Sequence, residues 1–240
     1  MLFSILSNGD PKQIIIELLL TLPVMILALC VHETAHGYVA WKCGDPTAYN
    51  LGRLTLNPAK HLDPIGTICM LIFGYGWAKP VPVNTRYFRN HKRGMALTAL
   101  AGPLSNILLG LISVVFSSFF YALTVFLYVK GAPEFLTTCS NWIFIMASYG
   151  AIINFIFAFF NLIPVPPFDG SRVAFVFLPT KVYFGIMRYE REIMFGILIA
   201  LLACSRLFHF SPFSQLAYTV IGWIDTPLTN AFLNLFSNFV

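Results

Sequence analysis

Long apolar runs separated by short polar segments organise this chain. The first, Ile14 to about Trp41, follows Asp10-Pro11, an N-cap with proline at the first helical position, and stops at Gly44-Asp45-Pro46. Its roughly 28 residues make a helix about 42 Å long, enough for the bilayer core and both interfaces. Further runs predict spanning helices over about Leu97 to Val129, Trp142 to Ile163 and Ile193 to Phe208, and a fifth apolar stretch covers Phe213 to Phe239. Asp225 and Pro227 interrupt that last stretch, which fits either a kinked span or a hairpin lying in the interface. Pro64 to Tyr75 is too short to cross and reads as re-entrant or strand-like. A cleaved signal peptide is disfavoured, because only Lys12 supplies a basic residue before the first run and Leu29 is too large for a cleavage position before Cys30.

Composition narrows the class. With 58% hydrophobic and 10% charged residues and a mean hydropathy of +0.75, the chain cannot solvate an ordinary globular surface. A soluble enzyme, a disordered chain and a nucleic-acid partner are all disfavoured, since the charges are too few to neutralise many phosphates. The five cysteines, Cys30, Cys43, Cys69, Cys139 and Cys204, show no CxxC spacing and read as small core residues. The net charge of +5 has a topological meaning. Residues 42–93 hold eight Lys and Arg and residues 164–192 hold four, which leaves Lys12, Lys130 and Arg206 of the 15 for the other side. By the positive-inside rule both basic segments are cytoplasmic and the amino terminus is extracytoplasmic. The expected fold is an all-α polytopic membrane protein, a bundle of about five transmembrane helices with a short re-entrant or β-hairpin segment on the cytoplasmic side. It forms a single membrane-embedded domain over residues 1–240, with its core at about 10–180 and C-terminal helices at about 190–240.

Near the cytoplasmic end of the first span stands His32-Glu33-Thr34-Ala35-His36. Residues four apart share a helical face, so both imidazoles can meet one metal, while Glu33, about 100° round, reaches water bound to it. Imidazole suits zinc, and the glutamate then serves as general base. A pair of core histidines is the bland alternative. Three ionisable groups at membrane depth are costly unless they line a wet cavity, which favours the metal reading. A catalytic zinc takes a third protein ligand, and Asp169, in Asn161-Leu-Ile-Pro-Val-Pro-Pro-Phe-Asp169-Gly170, is the best candidate. Prolines 164, 166 and 167 forbid regular helix there. Pro and Asp-Gly also make an ordinary cytoplasmic turn. Spans one and three run in the same direction, so topology brings His32, His36 and Asp169 to one leaflet.

Asn161, where the third span unwinds, offers an amide to a substrate carbonyl or an oxyanion, or caps freed backbone. Asn106, in Ala101-Gly-Pro-Leu-Ser105-Asn106, is a second candidate for that role or for interhelical hydrogen bonding, and Ala101 and Ser105 allow close helix contact. In Gly76-Trp77-Ala78-Lys79-Pro80-Val81-Pro82-Val83-Asn84 the alternating prolines suit an edge strand able to receive substrate as an added strand, or equally a rigid loop. Gly74-Tyr75-Gly76 is a lone GxG and carries no weight. His61 and Asp63 read as surface turn residues in preference to a gating pair, and His91 and His209 as interface residues.

These motifs together resemble the site-2 protease family of intramembrane zinc metalloproteases, in its compact form without a PDZ domain. The resemblance rests on His32-Glu33-Thr-Ala-His36, Gly52-Arg-Leu-Thr-Leu-Asn57-Pro58 with His61-Leu-Asp63-Pro64, Gly76 through Asn84, Ala101 through Asn106, and Asn161 through Asp169-Gly170, in family order over about residues 10–180. It implies one Zn2+ held by His32, His36 and Asp169, Glu33 as base, and Trp77, Lys79, Pro80, Val81, Pro82, Val83 and Asn84 as a substrate-presenting segment. It also implies substrates that are membrane proteins with a transmembrane segment, a prokaryotic cell membrane as location, and an active site toward the cytoplasmic leaflet. Phe168 stands where leucine is common, and the last 50 or so residues fit no family pattern. A non-proteolytic metal-binding or transport protein is the alternative; it would be expected to spread ionisable residues through the depth of several spans. A membrane protease with a downstream glutamate as third ligand is weakened, because Glu190 and Glu192 lie in a charged loop.

Overall fold

The computed structural model describes residues 11–73, 77–207 and 212–238. The Asp10 cap, Gly74 to Gly76, Phe208, His209 and the Phe239 end of the last run lie outside them, as does the side chain of Cys204. Among the described residues three helices are long and apolar enough to cross a membrane, and they form the frame: α1 (Pro11–Lys42), α5 (His91–Val129) and α6 (Glu134–Asn161). Between α1 and α5 lie the short α2 (Thr47–Asn50) and α3 (Pro58–His61), then α4 (Pro64–Phe73). After α6 follow α7 (Asp169–Ala174), α8 (Thr180–Met187), α9 (Glu190–Leu207) and α10 (Pro212–Ser237); Glu190 and Glu192, expected in a charged loop, lie instead in the first turn of α9, where the helix dipole favours acidic residues.

Two long helices start before their apolar runs. Helix α5 begins at His91, and Asn90 caps it by accepting from the Arg93 N–H at 3.0 Å. Helix α6 begins at Glu134 directly after Pro133, with its acidic residue in the first turn where the helix dipole favours it. Hydrophobicity marks the lipid-facing length of a helix, whereas caps mark its ends, so both were placed too late from the apolar pattern alone.

The connecting region departs further from expectation. Pro64 to Phe73 is helical, not strand-like: Asp63 stands before the proline and its carboxylate accepts from the Gly66 N–H at 2.8 Å, which starts a helix of 10 residues. The β-hairpin reduces, among the described residues, to one antiparallel bridge between Leu62 and Ala78. The prolines at 80 and 82 remove the donors that would extend that ladder. His61, expected at the surface, is fully buried, its ring Nε2 bonded to the Thr55 carbonyl at 2.6 Å.

Helix α10 runs without a break through Asp225 and Pro227, which excludes the hairpin. Asp225 accepts from the Ser118 hydroxyl of α5 at 2.6 Å, so its polarity is taken up by a neighbour and not by a turn. A core of Val114, Ala151, Phe155 and Ala217 joins α5, α6 and α10, and the rings of Phe232 and Phe236 pack on Phe119. Of the cysteines whose side chains are described, only Cys30 is buried; Cys43, Cys69 and Cys139 are half-buried, and all four are free thiols.

Candidate metal centre

The helical spacing of His32 and His36 stacks their imidazoles one turn apart, with ring centroids 4.6 Å from each other. Each ring is fixed by its Nδ1. That of His36 points at the Thr98 carbonyl oxygen, 2.7 Å away, and that of His32 at Asn106 Oδ1, 3.0 Å away. A carbonyl only accepts, so Nδ1 of His36 carries the proton and Nε2 of the neutral ring keeps its lone pair. Asn106, which presents its Oδ1, sets His32 the same way. Both partners lie on α5, and Gly102 lies between them at four-residue spacing.

That glycine is required by packing. A Cβ at 102 would lie 2.4 Å from His36 Nε2 and 2.6 Å from Nε2 and Cε1 of His32. Helix α5 therefore approaches the histidine pair as closely as backbone allows. Asn106 is fully buried, and its Nδ2 has no hydrogen-bond partner among the described residues, so a donor remains beside His32.

Asp169 arrives from the turn after α6. Phe168 braces it: the ring is buried and meets Phe160 edge-on at 4.3 Å, which gives the phenylalanine at this position a packing role. Asp169 Oδ2 lies 3.1 Å from His32 Nε2 and 3.1 Å from His36 Nε2, and the two Nε2 atoms are 3.0 Å apart. With both imidazoles presenting bare Nε2 atoms, three lone-pair-bearing atoms face one another at van der Waals separation or less, an arrangement that a bound cation, or a proton shared among them, makes favourable. Two imidazole nitrogens and a carboxylate oxygen are the donor set of catalytic zinc, and their mutual spacing fits three atoms each about 2.0–2.2 Å from one ion. Among the described residues this is the group of His, Cys, Asp and Glu side chains able to hold a metal.

Glu33 is next to the pair, buried, and its Oε2 accepts the Val81 backbone N–H at 2.9 Å. The Trp77 to Asn84 segment, which is neither helix nor strand from Lys79 to Asn84, therefore touches the carboxylate through Val81. Asn161 is on the last turn of α6, where its amide donates to the Phe157 carbonyl at 3.0 Å. His91 is exposed at the start of α5.

Sequence reasoning missed Thr98, Gly102, Arg53 and Asp45. The first two carried a usable signal: Thr98, Gly102 and Asn106 recur every fourth residue, which lays one polar, side-chain-poor strip on the face of α5 that meets His32 and His36. Arg53 and Asp45 are buried charged side chains in a loop. Arg53 donates to the carbonyls of Lys79 and Pro80 at 2.8 and 3.3 Å, and Asp45 accepts the Asn84 N–H at 2.6 Å.

Residues 132–204 match the model of peptidase family M50. A protein of Methanocaldococcus jannaschii, MJ0611, named as a candidate zinc metalloprotease, is 30% identical over 165 residues, covering 68% of this chain and 73% of that protein. The chain belongs to peptidase family M50, the site-2 protease family. YwhC of Bacillus subtilis, also named as a candidate zinc metalloprotease, is 43% identical over 149 residues, 62% of this chain and 64% of that protein. Rip2 of Mycolicibacterium smegmatis, named in the same way, is 30% identical over 95 residues, 36% of this chain and 35% of its own. The chain thus spans under two thirds of the length of these last two relatives. No solved structure matches it. Family membership and the three apolar helices make it an integral membrane protein.

Proposed function

We propose that this M50 member is an intramembrane zinc metalloprotease that hydrolyses peptide bonds within or near transmembrane segments of membrane proteins. The convergence of His32 Nε2, His36 Nε2 and Asp169 Oδ2 at 3.0 to 3.1 Å beside Glu33 carries this reading. His32, His36 and Asp169 would hold one Zn2+ per chain, in keeping with relatives named as candidate zinc metalloproteases. Zinc bound there supplies Lewis-acid polarisation of a carbonyl and a bound water of pKa about 7. Glu33, with one oxygen held by Val81, uses the other to take the proton of the attacking water and to pass it to the departing amide nitrogen. Asn106 and Thr98 keep the imidazoles in the tautomer that presents Nε2. Asn161, at the start of the unwound turn, is assigned to the substrate carbonyl.

We take α1, α5, α6, α9 and α10 as the spans, with the amino terminus outside and the site toward the cytoplasmic leaflet of a prokaryotic membrane; the clustering of basic residues in 42–93 and 164–192 supports that orientation. Trp77 to Asn84 presents substrate. A peptide unwound from its helix inside the bilayer needs partners for the freed backbone groups, and the Val83 N–H and the carbonyls of Val81 and Val83, which the segment's own contacts do not use, are the groups beside the base that would supply them. The test is cleavage of a model membrane substrate by purified wild type and Glu33→Gln. The substitution keeps shape and ligands and deletes the base, so zinc content stays at the wild-type value while the rate falls by about a thousandfold or more. Cleavage by Glu33→Gln near the wild-type rate would refute the assignment.

A further inference from the structure

We propose that the backbone N–H of Val81 is a positioning group for Glu33, anchoring one carboxylate oxygen so that the other stays aimed at the reacting water. The proposal rests on Glu33 being the base. The contact is 2.9 Å between two buried residues, and it follows from how the extended segment is built. Lys79 and Val81 each precede a proline, which confines both to extended backbone. Pro80 and Pro82 have no N–H, so Val81 is the sole backbone donor of residues 80–82, and the structure directs that donor to the carboxylate.

The segment itself is fixed at several points. Lys79 N–H bonds to the His61 carbonyl at 2.8 Å, Arg53 grips the carbonyls of Lys79 and Pro80, and Asp45 takes the Asn84 N–H. His61 in turn bonds to the Thr55 carbonyl, which also accepts the hydroxyl of Thr34, the neighbour of Glu33, at 2.7 Å. A closed ring of contacts thus runs from helix α1 through Thr55, His61 and Lys79 and back to α1 at Glu33. Gly37, one turn beyond Glu33, lets Leu54 and Val81 close in: a Cβ there would lie 2.6 Å from the Leu54 side chain and 3.1 Å from that of Val81. This accounts for the burial of Arg53, His61 and Asp45 in a loop that carries no ligand residue. A carboxylate has lone pairs on both oxygens, so holding one leaves the other free to work. Misplacing a catalytic group by about 1 Å costs about a hundredfold.

Amide exchange on the zinc-loaded, full-length protein reads the contact directly, because a fragment resolving residues 80–82 reports Val81 alone. Exchange at Val81 should be slow in wild type and at least about tenfold faster in Glu33→Ala, with Lys79 unchanged. In steady-state cleavage, Val81→Pro should lower kcat about 10- to 100-fold with zinc retained and KM within about twofold, while Val81→Ala, which keeps the N–H, should stay at least about fivefold above it in kcat. Combining Val81→Pro with Glu33→Asp should cost far less than the product of the two, since both break one contact. Equal Val81 exchange in wild type and Glu33→Ala would overturn the proposal, and that comparison decides if Val81→Pro does not fold. A raised KM with kcat retained in Val81→Pro would also overturn it, because the amide would then serve the substrate. Hydrolysis by Glu33→Gln would instead overturn the base assignment and leave the exchange result standing.

Discussion

Helix α5 buries polar groups in both of its halves, about 24 Å apart by helical rise from Gly102 to Ser118. In the first half the Thr98 carbonyl and Asn106 each bind one imidazole by its Nδ1, and what they leave over is two Nε2 atoms and a carboxylate oxygen turned toward one point. In the second half Ser118 bonds to Asp225 at 2.6 Å and Thr124 to Ser140 at 2.8 Å, and each hydroxyl is spent on a partner across a helix interface. Both halves meet the cost of polar atoms among apolar helices. They differ in what remains unspent. Buried polarity that is satisfied pairwise is adhesive, whereas buried polarity that converges on a shared point calls for a ligand.

The comparison breaks hardest at Gly102. Gly102→Ala puts a methyl carbon at 2.4 Å from His36 Nε2 and 2.6 Å from His32, so one ring or the helix must move. Zinc occupancy should fall below about a tenth and the cleavage rate by about a hundredfold or more, measured on the purified variant by metal analysis and substrate turnover. Asn106→Ala is milder, since it leaves all three ligands and frees the His32 ring to rotate. Zinc affinity should drop about 10- to 100-fold in competition with a chelator, and an unchanged affinity would remove Asn106 from the site. The smallest effect belongs to the other half. Ser118→Ala should cost about 1 kcal/mol of unfolding free energy in detergent, with zinc content and turnover at wild-type values. A loss of zinc there would erase the distinction between the two clusters.

The difference between the halves also explains what could be read from sequence. His32, Glu33 and His36 were legible because the helix repeat maps spacing directly onto a face, and Asp169 because prolines mark unwound backbone. Thr98 was not, because its contribution is a carbonyl oxygen that every residue type possesses. Gly102 acts through the absence of a side chain. His61 sits in a four-residue helix with no periodicity to report burial, so it was assigned to the surface although it is fully enclosed. The three long helices were legible from hydropathy, but their starts at His91 and Glu134 depend on Asn90 and Pro133, which hydropathy ignores. The partner that takes up the Asp225 carboxylate within α10 is Ser118, 107 positions earlier, and no local pattern carries that information.

The central claim is that His32, His36 and Asp169 act as one ligand set. It is tested most directly by the zinc content per chain of wild type and Asp169→Ala, purified side by side after dialysis against a weak chelator. About one zinc per chain in wild type and less than about a tenth in Asp169→Ala is the expected result, because a site of three protein ligands that loses its carboxylate keeps only the two imidazoles. Full occupancy in Asp169→Ala would contradict it and would direct attention to Glu190 as the third ligand.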